Sequence, residues 1–514
     1  MSEQAIILWA DDEIELLNTH VLFLESKGYQ VITATSGDEA IEVLDHSQVD
    51  IVFLDENMPG ITGLETLSRI KKNHPSLPVV MITKSEEESI MEEAIGSMIS
   101  DYLIKPVNPN QILLALKKNL DTSRLVSQST SMAYQKEFME LSNQIHRAEN
   151  FQDWTQLYRD LVSWELRLEK LNDQGMFEIL GTQKTEANKA FADFIEKNYV
   201  NWLYNGDGPV MSHTLMEDLI FPEVGRGEAL FVVLIENLRY DQWRAIEPLV
   251  SQHFRPAEEE IYMSILPTAT SFSRNAIFSG LLPTEMENKF GKLWFQEEEE
   301  KYVPPEDFLS ELVEMAGYDF KFNCLRINKV EEGKKLVDQV NNMMQADLNV
   351  IQYSFVDTLS HAKTDMDIIK ELADDEAAFR SLTQSWFEHS PLYEAIKRIA
   401  ERGGRLAIVS DHGSIKVKEA SKVVGDRSVN SNLRYKQGKN LQFEAKQVLD
   451  YPKPDQLYLP KPNVSTRYIF AKEDYFFVYP NNYNHFAQYY KNTFQHGGIS
   501  LEEMLVPCAI YNSR

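Results

Sequence analysis

Twice along these 514 residues, short apolar runs alternate with helix-patterned stretches, and that alternation constrains the fold more than any other feature. Near the start, "AIILWA", "QVITA" and "DIVFLDE" are separated by "IELLNTHVLFLESKG" and "DEAIEVLDHS". Buried parallel strands read as continuous apolar stretches, and their crossovers need helices, so βαβ units around a parallel sheet are expected. A second alternating region opens near Gly208, with "ALFVVLIENLRYD", "LNVIQYSFVDTLSH" and "RLAIVSDHGS" among its runs. A chain this long exceeds one ordinary core, so the two regions are expected to be separate α/β domains.

The formal net charge of −28 argues against a chain whose main task is coating nucleic acid, which needs a basic surface. Cys324 and Cys508 are the only cysteines, too few for a disulfide framework or a thiolate zinc site. The opening "MSEQAIILWADDE" lacks the basic start and apolar core of a signal peptide, and no apolar stretch is long enough for a bilayer. A cytoplasmic location without membrane contact is expected.

In open parallel sheets chemistry gathers at the carboxyl ends of strands. In the first region Asp11 and Asp12 follow one run, Asp55 closes "IVFLD", Thr83 closes "VVMIT" and Lys105 follows "DYLI". Three converging carboxylates repel one another, so a hard cation such as Mg²⁺ is expected among them. Asp55 would then be the nucleophile for phosphoryl transfer, with Thr83 and Lys105 meeting the incoming oxygens. The motifs "ADDE", "LDENMPG", "MITKS" and "LIKP" make this segment resemble the receiver domain of two-component response regulators over its full length. The resemblance implies a doubly wound fold, phosphorylation on Asp55 and a partner sensor histidine kinase. It also implies Mg²⁺ ligation by Asp12 and Asp55, with Asp11 beside them and Asn57 adding its carbonyl. Tyr102 takes the place of the aromatic that changes rotamer when Thr83 moves.

The stretch "DTSRLVSQSTS" reads as a polar junction, loop or frayed helix. Beyond it Trp154, Leu157, Leu161, Trp164, Leu168 and Leu171 recur at alternating steps of three and four. That is an apolar seam on a helix packed against others, so a small helical bundle is expected. No Arg- and Lys-rich recognition helix follows the first domain, so no DNA-binding domain is expected.

In the last 300 residues, acidic and imidazole groups again follow apolar runs: Glu236, Asp357 with His361, Asp411 with His412, and His496 beside two glycines. Three His, two Asp and a Glu make an N/O ligand set suited to zinc, with manganese as competitor. Six ligands overfill one catalytic ion, so two are expected, with the Thr270 hydroxyl as the nucleophile they activate. The stretch "PTATSFSRNAIFSGLLP" is similar to the nucleophile segment of the nucleotide pyrophosphatase/phosphodiesterase branch of the alkaline phosphatase superfamily. That resemblance implies one ion on Asp357, His361 and His496, the other on Glu236, Asp411 and His412, with Thr270 between them. Glu236 stands where the superfamily usually has Asp, a methylene shorter.

The order of parts resembles the response regulators linked to type IX secretion, whose output is called a PglZ domain. It implies dimerisation on phosphorylation and contact with an extracytoplasmic-function sigma factor. The expected domains are a receiver over 1–120, a helical bundle over 121–206 and a phosphatase-like domain over 207–514. Between Lys416 and Asn440, Lys416, Lys418, Lys422, Arg427, Arg434, Lys436 and Lys439 outnumber Glu419 and Asp426. In so acidic a chain this run suggests a patch steering an oligonucleotide-like diester, with Tyr435 and Asn432 adding stacking and hydrogen bonds. A metal-dependent phosphodiesterase controlled through Asp55 is the first functional expectation. The alternative is a scaffold whose phosphatase-like domain docks a partner.

Overall fold

The computed structural model describes residues 5–75, 77–83, 99–116, 119, 122–170, 174–291, 304–373, 375–425 and 430–514. Contacts divide the chain into two compact units, 1–135 and 136–514.

In the first unit, β1 (Ile6–Ala10), β2 (Gln30–Ala34), β3 (Ile51–Asp55), β4 (Val79–Thr83) and β5 (Asp101–Ile104) form one sheet. Its order is β2-β1-β3-β4-β5, with every neighbouring pair parallel. Alternate residues of each strand feed opposite faces. Ile7, Trp9 and Phe53 pack with Leu24 of α1 (Asn18–Ser26) and Ile112 and Leu116 of α4 (Pro109–Leu116). Leu8, Val52 and Leu54 pack with Leu44 of α2 (Gly37–His46) and Leu67 and Ile70 of α3 (Gly63–Asn73). Helices on both faces explain why the strands read as unbroken apolar runs. The fold is the expected doubly wound one.

The helix α5 (Thr122–Arg147) runs through the stretch that the sequence left open between loop and frayed helix. The next, α6 (Phe151–Glu169), starts at a capping box between Asn150 and Asp153. It buries Trp154, Leu157, Leu161, Trp164 and Leu168 of the seam, whereas Leu171 lies outside the described residues. Trp154 meets Phe191 and Phe194 of α7 (Gln174–Asn205) at 5.3 and 5.7 Å. The Trp164 indole donates to Glu137 and the Gln183 amide to the Phe138 carbonyl, joining α6 and α7 to α5.

The large sheet of the second unit has the order β7-β18-β10-β6-β9-β8. These are β6 (Leu230–Ile235), β7 (Phe254–Met263), β8 (Phe322–Ile327), β9 (Leu348–Tyr353), β10 (Arg405–Val409) and β18 (Leu505–Ser513). Strands β8, β9, β6 and β10 are parallel, and β18 runs antiparallel between β10 and β7. The carboxyl ends of β6, β7, β9 and β10 and the start of β18 therefore share one edge. The helices that matter there are α8 (Tyr240–Ser251), α9 (Thr270–Ser279), α10 (Phe355–Asp365), α11 (Glu376–His389) and the short α12 (Leu501–Met504). Among the described residues of the unit there are also three small sheets: β11 (Ile415–Lys416) with β17 (Phe494–Gln495), β12 (Glu419–Lys422) with β16 (Tyr475–Val478), and β13 (Tyr435–Gly438), β15 (Arg467–Ala471) and β14 (Val448–Tyr451).

The helices α6 and α7 meet the output half through charge as well as through apolar packing. Arg380 of α11 pairs with Glu165 and Glu169 of α6 and Asp241 of α8. Lys184 of α7 pairs with Glu165, Glu376 and Glu502. Among the described residues, no helix is long and apolar enough to cross a membrane.

Candidate metal centre

Four strand ends and the turn before α12 deliver the candidate residues to the shared edge. Asp357 and His361 sit one helical turn apart on α10, so both side chains lie on one face. His496 follows β17 and joins them: ligand atoms of Asp357, His361 and His496 lie within 4.8 Å of one another. The nearest nitrogens reach the Asp357 carboxylate at 3.5 and 3.7 Å. His496 Nδ1 donates to the Thr268 carbonyl at 3.1 Å, which leaves Nε2 bare toward the cluster. Burial holds His496 down to about 3. Burial alone would raise the Asp357 carboxyl, but the His361 hydrogen bond and the nearby His496 keep it below its ordinary range. A neutral imidazole and an ionised carboxylate are the forms that bind metal. The three residues fit one divalent ion.

The second expected set comes together only in part. His412 Nδ1 donates to the Gly413 carbonyl at 3.0 Å, and Nε2 lies 3.0 Å from the Thr270 hydroxyl. Thr270 opens α9, where backbone N–H groups face outward and favour an anion. Asp411 is fully buried, and its Oδ2 has no hydrogen-bond partner. Burial, with Glu236 adding to it, pushes the Asp411 carboxyl up to about 8. A buried, unpartnered carboxylate oxygen is what a cation would satisfy.

Glu236, however, does not close a triad with Asp411 and His412 within 4.8 Å. Its carboxylate is held by Arg274 at 2.7 Å, one turn along α9 from Thr270, and Arg326 approaches to 3.9 Å. His412 and His496 stack with ring centroids 4.4 Å apart, so Thr270, His412 and the Asp357 cluster are neighbours.

Sequence reasoning missed Asn237, Arg274 and Thr268. Asn237 adopts φ 62°, a left-handed conformation that Asn tolerates. From there its N–H donates to Asp411 Oδ1 at 3.0 Å and its amide to Asp357 Oδ1 at 3.2 Å. It ties the two halves of the site. The one available signal was an Asn directly after a strand-end acid.

In the first unit Asp11, Asp12 and Asp55 also gather within 4.8 Å. Lys105 reaches Asp11 at 2.8 Å and Asp55 at 3.0 Å. Burial raises the Asp55 carboxyl, Lys105 opposes it, and the charges of Asp11 and Asp12 add to the rise. The carboxylates fit a hard divalent ion, with Lys105 against Asp55. Thr83 donates to the Glu56 carboxylate, Tyr102 is 42% exposed, and Asn57 lies on the surface after β3.

The basic run does not form the expected exposed patch. Arg434 is fully buried and paired with Glu503 at 2.7 Å. Lys436 is 1% exposed, donates to the Asn430 carbonyl at 2.9 Å and lies over the Tyr479 ring. Tyr435 is buried, and Asn432 accepts the backbone N–H groups of Arg434 and Tyr435. These four residues build β13 and its entry turn instead of facing a ligand. Lys418 is exposed and pairs with Asp474 at 3.3 Å; Lys422 is exposed, and Lys416 and Lys439 are half-buried. Arg427 lies outside the described residues. A separate cavity of about 450 Å³ lies against α6, α7 and α11, and none of the candidate ligands lines it.

Family models match three segments of the chain. They are a response regulator receiver domain over 7–117, the PorX response regulator linker domain over 124–203, and the BREX system PglZ alkaline phosphatase-like domain over 215–511. The chain is 35% identical over 122 residues to the alginate biosynthesis transcriptional regulatory protein AlgB of Pseudomonas putida, covering 24% of this chain and 27% of that one. It is 30% identical over 128 residues to the alkaline phosphatase synthesis transcriptional regulatory protein PhoP of Bacillus subtilis, covering 24% and 52%. It thus spans between about a quarter and a half of those relatives. Among solved structures, the CheY-like receiver domain protein of Methanospirillum hungatei JF-1 is 26% identical, with a TM-score of 0.23, covering 23% of this chain and 96% of that one. The chemotaxis protein CheY4 of Vibrio cholerae is 28% identical, with a TM-score of 0.22, covering 23% and 99%.

Proposed function

The chain belongs to the PglZ alkaline phosphatase-like domain family, joined by a PorX-type linker to a response regulator receiver, and we propose that phosphorylation of Asp55 governs a metal-dependent phosphodiesterase in that output domain. The observation that carries this reading is the Thr270 hydroxyl, 3.0 Å from His412 Nε2 and beside the Asp357, His361 and His496 cluster. A structural threonine needs no such company.

Asp357, His361 and His496 would hold one ion, and Asp411 and His412 would meet a second, with Glu236 beside them on Arg274. Zinc, or manganese in competition with it, would supply Lewis acidity at the phosphoryl oxygens and acidify the threonine hydroxyl. The chain's own residues do the rest. Thr270 Oγ attacks phosphorus, the P–O bond to one alcohol breaks, and that alcohol leaves. The Gly413 carbonyl fixes the His412 tautomer so that Nε2 faces the ion and Thr270; with that nitrogen committed as a ligand, the Thr270 proton passes to water and the departing alcohol takes one from water. Water then cleaves the phosphothreonine, returning the hydroxyl and releasing a monoester. The amino end of α9 favours the negative charge that develops there.

In the receiver, Asp11, Asp12 and Asp55 would hold Mg²⁺, and a sensor histidine kinase is the donor that receiver membership implies. An oligonucleotide-like diester remains the proposed substrate class, without Arg434 and Lys436 as contacts. The regulators of type IX secretion supply the proposed setting, in the cytoplasm and with a sigma factor among the partners.

The second reading is a docking scaffold, favoured by the Glu236–Arg274 pair, which withholds one ligand. A Thr270→Ala variant separates the two. Hydrolysis of a chromogenic diester should fall at least about a thousandfold with bound metal retained. Unchanged turnover would rule out Thr270 as the nucleophile, and absence of hydrolysis in the metal-loaded wild type would leave the scaffold.

A further inference from the structure

His412 and His496 are each followed by a glycine turn, and both turns close on Glu503. The Glu503 backbone carbonyl accepts the Gly413 N–H at 3.0 Å. Its carboxylate Oε1 accepts the Gly498 N–H at 2.8 Å. The Ser500 hydroxyl donates to Oε2 at 2.7 Å, as does Arg434 Nη2 at 2.7 Å, and Arg434 Nε reaches Oε1 at 3.2 Å. Further guanidinium donors go to the Lys472, Tyr475 and Ile499 carbonyls. Both side chains of the pair are 0% exposed.

The glycines show how closely this clasp fits. A Cβ on Gly413 would sit 2.0 Å from the Glu502 carbonyl, and one on Gly498 would sit 2.9 Å from Arg434 Nε. Thr268 braces the second turn from its other side. Its hydroxyl accepts the Gly497 N–H and donates to the Gly498 carbonyl, each at 3.0 Å, while its carbonyl takes His496 Nδ1.

A buried ion pair is not a requirement of stability, since apolar residues of similar volume often serve as well. Through the Glu503 carboxylate this pair holds the Gly498 turn behind His496, while the Glu503 main chain holds the Gly413 turn behind His412. We propose that the Arg434 and Glu503 side chains are positioning residues of the metal site, fixing the Gly498 turn so that His496 presents Nε2 at a set place beside His412. The proposal rests on the reading that the pocket binds a divalent cation. It replaces a role in substrate steering for Arg434, which has no exposed surface.

The test is zinc affinity of the full chain, measured by competition with a chromophoric chelator while excess Mg²⁺ fills the receiver carboxylates. Thermal melting is followed in parallel. Glu503→Gln and Arg434→Lys should each weaken zinc binding by about ten- to a hundredfold, the range for partners that orient ligands. The control is Arg405→Lys, which loosens another buried ion pair, Arg405–Glu223, that touches no candidate ligand. It should lower the melting temperature and leave zinc affinity within about twofold. Where Glu503→Gln fails to fold, Arg434→Lys and the near-isosteric Thr268→Val carry the test. Unchanged zinc affinity in the folded pair variants, or an equal loss in the control, overturns the proposal. A wild type that takes up no zinc overturns the metal reading itself, before any variant is compared.

Discussion

Lys436 shows what a charge run conceals. Its sequence neighbours are basic and polar, yet the side chain lies buried over Tyr479 because β13 turns it inward. Burial lowers its amine from 10.5 to about 7. The folded state then binds fewer protons than the unfolded chain between those values, so this group's contribution to stability is present above 10.5 and lost as pH falls to about 7. The melting temperature of the wild type relative to Lys436→Met should therefore drop across that window, which calorimetry can follow; a flat difference would mean that the amine stays charged while buried. Asp357, His361, Asp411, His412 and His496 were legible because an acid or imidazole directly after an apolar run has few other uses. Asn237 and Arg274 were not. One acts through a left-handed backbone, the other through a partner 38 positions away that no local pattern announces.

Among the elements, the seam of α6 was readable from its spacing, since a helix buries the stripe its sequence repeats. The placement of β18 between β10 and β7 was not, because apolar runs reveal strands without revealing their order. Nor was the role of α11 evident. Its Arg380 is surrounded by Glu165, Glu169 and Asp241 from α6 and α8, and burial raises the cost of leaving any of them alone. Arg380→Met should destabilise the second unit by about 3–5 kcal/mol, the cost of breaking a buried pair from one side. Urea denaturation would measure it, and a loss under about 1 kcal/mol would mean that these carboxylates are solvated or protonated instead.

For the whole molecule, the receiver and output domains each place their chemistry at the carboxyl edge of a largely parallel sheet. Receiver phosphorylation is expected to bring two copies together, so a phosphoryl mimic should shift sedimentation from monomer toward dimer. The same mass with and without the mimic over a wide concentration range would reject that expectation. Receiver identity was legible from motifs alone, whereas the bonding of helices α6 and α7 to the output half was not, because it runs through side chains far apart in sequence. Glu165 and Lys184 neutralise Arg380, Glu376 and Glu502 across the junction. Recombination that brought in foreign helices would strand those charges in the interior. The phosphatase-like half and its helices should therefore travel through evolution as a single cassette, and a gene fragment beginning at 207 should yield aggregates in place of a folded domain.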